Sequence, residues 1–143
     1  MFISNNDPKC SREDIKAILE QVGIMPTPQR MEIALIMLGC PQHLSADQLL
    51  ALVNRNGAGV SKATIYNTLG LFACKGIIRE VLVDPNRIFY DSNTDDHCHV
   101  YNEDTGTLTD ININNYLPPA ALPPLPEGTT LVDVDVIIRV RNT

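Results

Sequence analysis

The sequence predicts an α+β chain in two parts. Residues 1–91 read as a winged helix-turn-helix, with four helices and a β-hairpin wing. Residues 92–143 read as a small α/β domain built on a three-stranded antiparallel sheet. Three observations predict this. Apolar residues recur at helical spacing in four stretches and then at strand spacing. Glycine and proline fall where those stretches should end. The charge also divides: residues 1–90 carry nine Lys/Arg against eight Asp/Glu, and residues 91–143 carry two against nine. The net charge of −6 therefore conceals a first part that can approach phosphates and a second part that attracts cations.

In the first helix Ile15, Ile18, Leu19 and Val22 fall at i, i+3, i+4 and i+7, one apolar face starting near Ser11 and ending at Gly23. In the second, Thr27 can cap and Pro28 suits the first helical position. Met31 to Leu38 are apolar nearly all round, so this helix is expected at the centre, ending at Gly39 and Pro41. The third helix has the clearest start: Ser45 as N-cap and Gln48 at N3 make a capping box, flanked by Leu44 and Leu49 as a hydrophobic staple. It runs to about Asn56 and stops at Gly57. After the turn 56–59 the fourth helix begins at Ser61, with Ile65, Leu69 and Phe72 as its buried stripe and Gly76 past its end. The short glycine-containing turn between helices three and four is what a helix-turn-helix requires. Ile77–Val83 and Ile88–Tyr90, joined by Asp84-Pro85-Asn86-Arg87, make the hairpin.

In the second part His97–Asn102 and Thr107–Ile113 read as strands around Asp104-Thr105-Gly106. Five prolines between 118 and 126 break any long helix. Val132, Val134, Val136, Ile138 and Val140 then alternate with charged residues, which predicts a strand with one buried and one charged face. A sheet this small is marginal alone, and pairing with a second copy would stabilise it.

A helix that reads the major groove needs small and hydrogen-bonding residues on its exposed face. The fourth helix offers Ala63 and Gly70, with Thr64, Tyr66 and Asn67 able to bond bases or phosphates. Lys62, Arg30 and Arg87 are available for phosphates. The competing reading is a helical packing domain with a solvated polar face.

His97 and His99 stand at i and i+2, on one side of a strand, a geometry that suits two ligands on one metal. Asp91 precedes them, Asp110 lies on the expected partner strand, and His43 completes the chain's histidines. Three His and two Asp suit divalent iron, manganese or zinc. The competing reading is a polar loop that happens to hold His-x-His. Cys40-Pro41 offers a thiolate in the context of short haem-binding motifs, or simply a helix-ending turn. With Cys40, the haem candidates are His97, Cys98 and His99. Four scattered cysteines without a Cys-x-x-Cys pair make a disulfide framework unexpected and a reducing, cytoplasmic location expected. No signal peptide and no membrane span are expected. With no nucleophile motif or cofactor loop, an enzyme is not expected; a small non-haem metalloenzyme and a non-DNA-binding metalloprotein are the alternatives.

Taken together, the segments 26–30 (Pro-Thr-Pro-Gln-Arg), 43–47 (His-Leu-Ser-Ala-Asp), 61–69 (Ser-Lys-Ala-Thr-Ile-Tyr-Asn-Thr-Leu), 89–91 (Phe-Tyr-Asp) and His97-x-His99 resemble the ferric uptake regulator superfamily over about residues 11–141. Residues 90–93, 126–128 and 134–140 are most similar to its iron response regulator branch. The resemblance implies a homodimer that binds a double-stranded, near-palindromic operator and regulates iron homeostasis. It implies DNA contacts at Arg30 and Tyr66. It also implies a five-ligand regulatory site of His43, Asp91, His97, His99 and Asp110, matching the peroxide-responding members, which makes a peroxide-sensing repressor the alternative. There the ion acts at a hinge that spaces two winged helices on DNA. Three departures stand out. Asn102 and Thr105 occupy the positions of the Cys-x-x-Cys pair, so no structural four-cysteine zinc is expected. Cys98 replaces the middle of the branch's three histidines, and Cys40-Pro41 lies away from the N-terminal position of its haem motif.

Overall fold

Each of the four described helices starts at a hydroxyl. In the computed structural model, which describes residues 10–55, 57–94, 98–111, 122–132 and 134–143, the helices are α1 (Arg12–Gln21), α2 (Pro28–Leu38), α3 (Ala46–Asn54) and α4 (Lys62–Cys74). Their N-caps are Ser11, Thr27, Ser45 and Ser61, whose side chains accept from the N–H groups of Asp14, Arg30, Gln48 and Thr64. Each bond satisfies a helix donor that has no intrahelical partner. The box at Ser45 is complete, with Gln48 Oε1 accepting from the Ser45 N–H at 2.9 Å, and α1 carries a second box between Ser11 and Asp14. Pro28 stands in the first turn of α2, where its missing N–H costs nothing.

The chain divides into two compact units, Met1–Thr94 and Asp95–Thr143. In the first, α2 packs against α1, α3 and α4. Ile33, Ala34 and Met37 are fully buried, alongside Ile15 and Leu19 of α1, Leu49 of α3 and Ile65, Leu69 and Phe72 of α4. The expected central helix is thus central because it has almost no polar face to give to water.

The turn between α3 and α4 is closed by one side chain. Asn54 Nδ2 donates to the Val60 carbonyl at 2.8 Å, and Asn54 Oδ1 accepts from the Val60 N–H at 2.8 Å. Gly57 and Gly59 sit at φ 77° and 68°, left-handed conformations that explain glycine here. Val60 is 4% exposed and plugs into the core.

Strands β1 (His43–Ser45), β2 (Arg79–Asp84) and β3 (Arg87–Asp91) form an antiparallel sheet in the order β1-β3-β2. The β2–β3 hairpin is the expected wing, with Asp84 opposite Arg87 and Pro85 and Asn86 at the tip. β1 was not foreseen. It places His43 opposite Asp91.

In the second unit β4 (Cys98–Asn102) and β5 (Thr107–Ile111) form the expected hairpin. Residues 97 and 112–113, expected at its strand ends, lie outside the described residues. β6 (Ile137–Val140) pairs parallel with β4, giving the order β5-β4-β6. The sheet is therefore mixed, a correction to the purely antiparallel expectation. The long connection 112–136 explains it, because a parallel partner needs a crossover of a dozen residues or more. Among the described residues this unit contains strands and no helix.

The last strand is also shorter than expected, starting at Ile137 rather than Val132. Its apolar residues Ile138 and Val140 are 47% and 37% exposed. No helix among the described residues of this unit lies over them.

Candidate functional site

The exposed face of α4 has the composition the sequence suggested. Ile65, Leu69 and Phe72 are wholly buried, which turns Lys62, Ala63, Tyr66, Asn67 and Gly70 outward. A Cβ placed on Gly70 would meet nothing within 4 Å. No contact among the described residues demands glycine there. Thr64 is half-buried, and its hydroxyl lies 2.9 Å from that of Ser61, so it is engaged at the cap. Lys62 Nζ stands 5.9 Å from the Tyr66 ring centroid and 3.3 Å from Asp47 Oδ1. Asp47 is a neighbour that the sequence reading did not connect with this face. Arg30, in the first turn of α2, is half-buried, and its Nη1 donates to the Met25 carbonyl at 3.1 Å. Arg87 is exposed beside the wing turn.

Each unit also brings a histidine and an aspartate together. In the first, the register of β1 on β3 sets His43 Nε2 3.2 Å from Asp91 Oδ2. The Asp91 side chain is fully buried and that of His43 is 12% exposed. The other Asp91 oxygen accepts from the Asn93 N–H at 2.8 Å. In the second unit, the register of β4 on β5 sets His99 Nε2 3.3 Å from Asp110 Oδ1, with His99 buried and Asp110 at the surface. Residues directly opposite on antiparallel strands have this proximity by construction. His97 lies outside the described residues.

These donors suit a divalent cation. Each of the four residues can offer one ligand atom, a ring nitrogen or a carboxylate oxygen. Imidazole and carboxylate together match iron, manganese or zinc. A carboxylate at zero exposure is costly unless hydrogen-bonded or neutralised, and a bound cation does the latter.

Of the haem candidates, Cys40 is exposed and Cys98 is 2% exposed within its sheet. The cavity beside Cys40, lined also by Leu38, Pro41, Gly76 and Ser92, has a volume of about 50 Å³. At the Cys-x-x-Cys positions, Asn102 Oδ1 accepts from the N–H groups of Asp104 and Thr105 at 2.9 and 3.1 Å. Thr105 Oγ1 donates to Thr107 Oγ1 at 3.0 Å. A hydrogen-bonded turn stands where thiolates would.

Residues 21–138 match the profile of the Ferric uptake regulator family. The chain belongs to that family. Its members are metal-responsive transcriptional regulators. Over 99 residues the chain is 34% identical to the peroxide-responsive repressor PerR of Staphylococcus aureus strain Mu50, covering 69% of this chain and 67% of that one. Its fold resembles the ferric uptake regulator of Pseudomonas aeruginosa with manganese, at TM-score 0.66 and 21% identity over 89% of this chain and 96% of that one. The Vibrio cholerae ferric uptake regulator gives TM-score 0.68 and 20% identity over 89% and 98%. The family's α+β architecture is thus the one expected. No described helix is long and apolar enough to cross a membrane.

Proposed function

We propose that the chain is a homodimeric, divalent-metal-responsive regulator of iron-homeostasis genes that binds a near-palindromic, A·T-rich operator. The observation that carries this is a pair of histidines, His99 buried and His43 partly so, each set against an aspartate on a neighbouring strand, in a chain of this family. His43, Asp91, His97, His99 and Asp110 would hold Fe(II) or Mn(II), with Zn(II) also suited to the donors. When bound, the ion supplies the positive charge that offsets the carboxylates. Tyr66, Asn67 and Lys62 of α4 would meet the major groove, with Arg30 and Arg87 on phosphates. The exposed row of Ile138 and Val140 supports pairing with a second copy. Residues 90–93, 126–128 and 134–140 support placement in the iron response regulator branch.

The test titrates the protein with ferrous iron, manganese and haem while operator binding is followed, in wild type, His43→Ala and His97→Ala. A metal response in wild type, lost in both variants, is expected. Failure to bind any upstream region specifically, with or without these effectors, overturns the proposal. A haem response that survives loss of His97 but not Cys40→Ala would replace the ion with haem.

The similarity to PerR favours a second reading, in which peroxide acts through bound Fe(II) to oxidise a histidine ligand. Peptide mass spectrometry after peroxide treatment of the Fe(II)-loaded protein decides it. An added oxygen atom on His43, His97 or His99 supports it, and unmodified peptides remove it.

A further inference from the structure

Two polar side chains beside His43 and Asp91 have no part in the proposed ligand set, yet both are turned inward. Ser92 follows Asp91 and is 9% exposed. Gln42 precedes His43 and is half-buried. Their hydrogen bonds interlock. The Gln42 N–H donates to Ser92 Oγ at 3.0 Å, and the Ser92 N–H returns a bond to the Gln42 carbonyl at 3.1 Å. Ser92 Oγ in turn donates to the Cys40 carbonyl at 3.0 Å. The Gln42 carboxamide Nε2 reaches the other way and donates to the carbonyls of Ile36 and Met37, in the last turn of α2. Those carbonyls have no intrahelical donor because the helix ends at Leu38.

We propose that Ser92 and Gln42 are positioning residues for the His43–Asp91 pair, clasping the two chain segments that carry these ligands and fastening them to the end of α2. The proposal rests on the reading of His43 and Asp91 as metal ligands. β1 is only three residues long, and its ladder with β3 ends at the His43–Asp91 pair itself. A strand this short holds its terminal residue weakly. The clasp continues the pairing one residue beyond, at Gln42 and Ser92, and so removes the fraying that would let His43 drift from Asp91. Freezing ligand atoms before the ion arrives saves the ordering entropy that binding would otherwise cost. Asp91 is held from its other side by the Asn93 N–H, so both ligands of the pair are oriented before binding. The attachment to α2 also gives occupancy a route to the helix that carries Arg30.

The experiment measures Mn(II) affinity by competition with a fluorescent chelator, and thermal unfolding without metal, on the full chain. Wild type, Ser92→Ala, Ser92→Thr, Gln42→Ala and His43→Ala are compared. Ser92→Ala and Gln42→Ala should weaken Mn(II) binding about tenfold at a temperature where the metal-free variants remain folded. Ser92→Thr, which keeps the hydroxyl, should restore most of it. His43→Ala should abolish binding at this pair. Unchanged Mn(II) affinity in Ser92→Ala and Gln42→Ala, with only the unfolding temperature lowered, would overturn the positioning role while leaving the ligand assignment intact. Full Mn(II) affinity in His43→Ala would instead overturn the ligand assignment. Should Ser92→Ala fail to fold, Gln42→Ala and Ser92→Thr carry the same comparison.

Discussion

Tyr90 lies on β3 between Glu80 and Leu44, its cross-strand partners, and is 5% exposed. Burial, then the charge of Glu80, then Tyr66 raise its pKa above the ordinary value of 10.0. The sign follows directly. Above about pH 10 the unfolded chain gives up this proton while the folded chain keeps it, so stability is present below that pH and falls as pH rises toward the raised value. The slope of that loss is bounded by one proton, about 1.4 kcal/mol per pH unit. Urea unfolding between about pH 9 and about pH 11 should show this decline. Tyr90→Phe should flatten it, and an unchanged slope would assign the alkaline loss to other groups. At this same scale lie the residues least visible beforehand. The ligand candidates His43, Asp91, His99 and Asp110 were legible because histidines are few and the family pattern marks their spacing. Asp47, Gln42 and Ser92 were not, because a polar side chain that serves a distant backbone group leaves no periodic trace.

Elements announced themselves where their signals were local. Ser45 with Gln48, Thr27 with Pro28 and the stripe of Ile65, Leu69 and Phe72 each lie within one or two helical turns, and each element formed as expected. β1 escaped because three residues show no alternation and its last one doubles as a helix cap. The parallel pairing of β6 escaped because nothing within a strand states which neighbour it takes. The Asn54 clasp belongs with these. It joins the end of α3 to the residue before the α4 cap and sets the α3–α4 turn with two bonds from one carboxamide. Replacing it with alanine should cost about 1–3 kcal/mol, since the half-buried Val60 backbone groups lose their partners. Denaturant unfolding of Asn54→Ala measures this, and operator affinity should fall with it. A change under about 0.5 kcal/mol would mean that water or a rearranged turn replaces both bonds.

At the scale of the whole molecule, the apolar row on β6 has no cover among the described residues of its unit. Leaving Ile138 and Val140 in water forgoes burial stabilisation of about 25 cal/mol per Å². Pairing of two copies recovers it. Ile138→Asp, which adds a charge to this face without touching the core of the first unit, should shift the protein from dimer to monomer in sedimentation. Operator affinity should drop with it, because a palindromic site rewards two linked helices. A dimer that persists in Ile138→Asp places the interface elsewhere. The −7 balance of residues 91–143 acts at this scale as well. It would oppose contact of that part with phosphates, which the near-balanced charge of residues 1–90 would not.

The position of β6 at the edge of its sheet, paired with a β4 that precedes it by more than thirty residues, sets an order of events during synthesis. Every strand and helix of the first unit finds its partners before residue 94, so that unit can fold while the ribosome is still translating the rest. The second sheet must wait for residues 137–140. During that interval a nascent chain owns a finished first unit and an unfinished second sheet. A message cut short after residue 94 would release that first unit alone, without β4, β5 and β6.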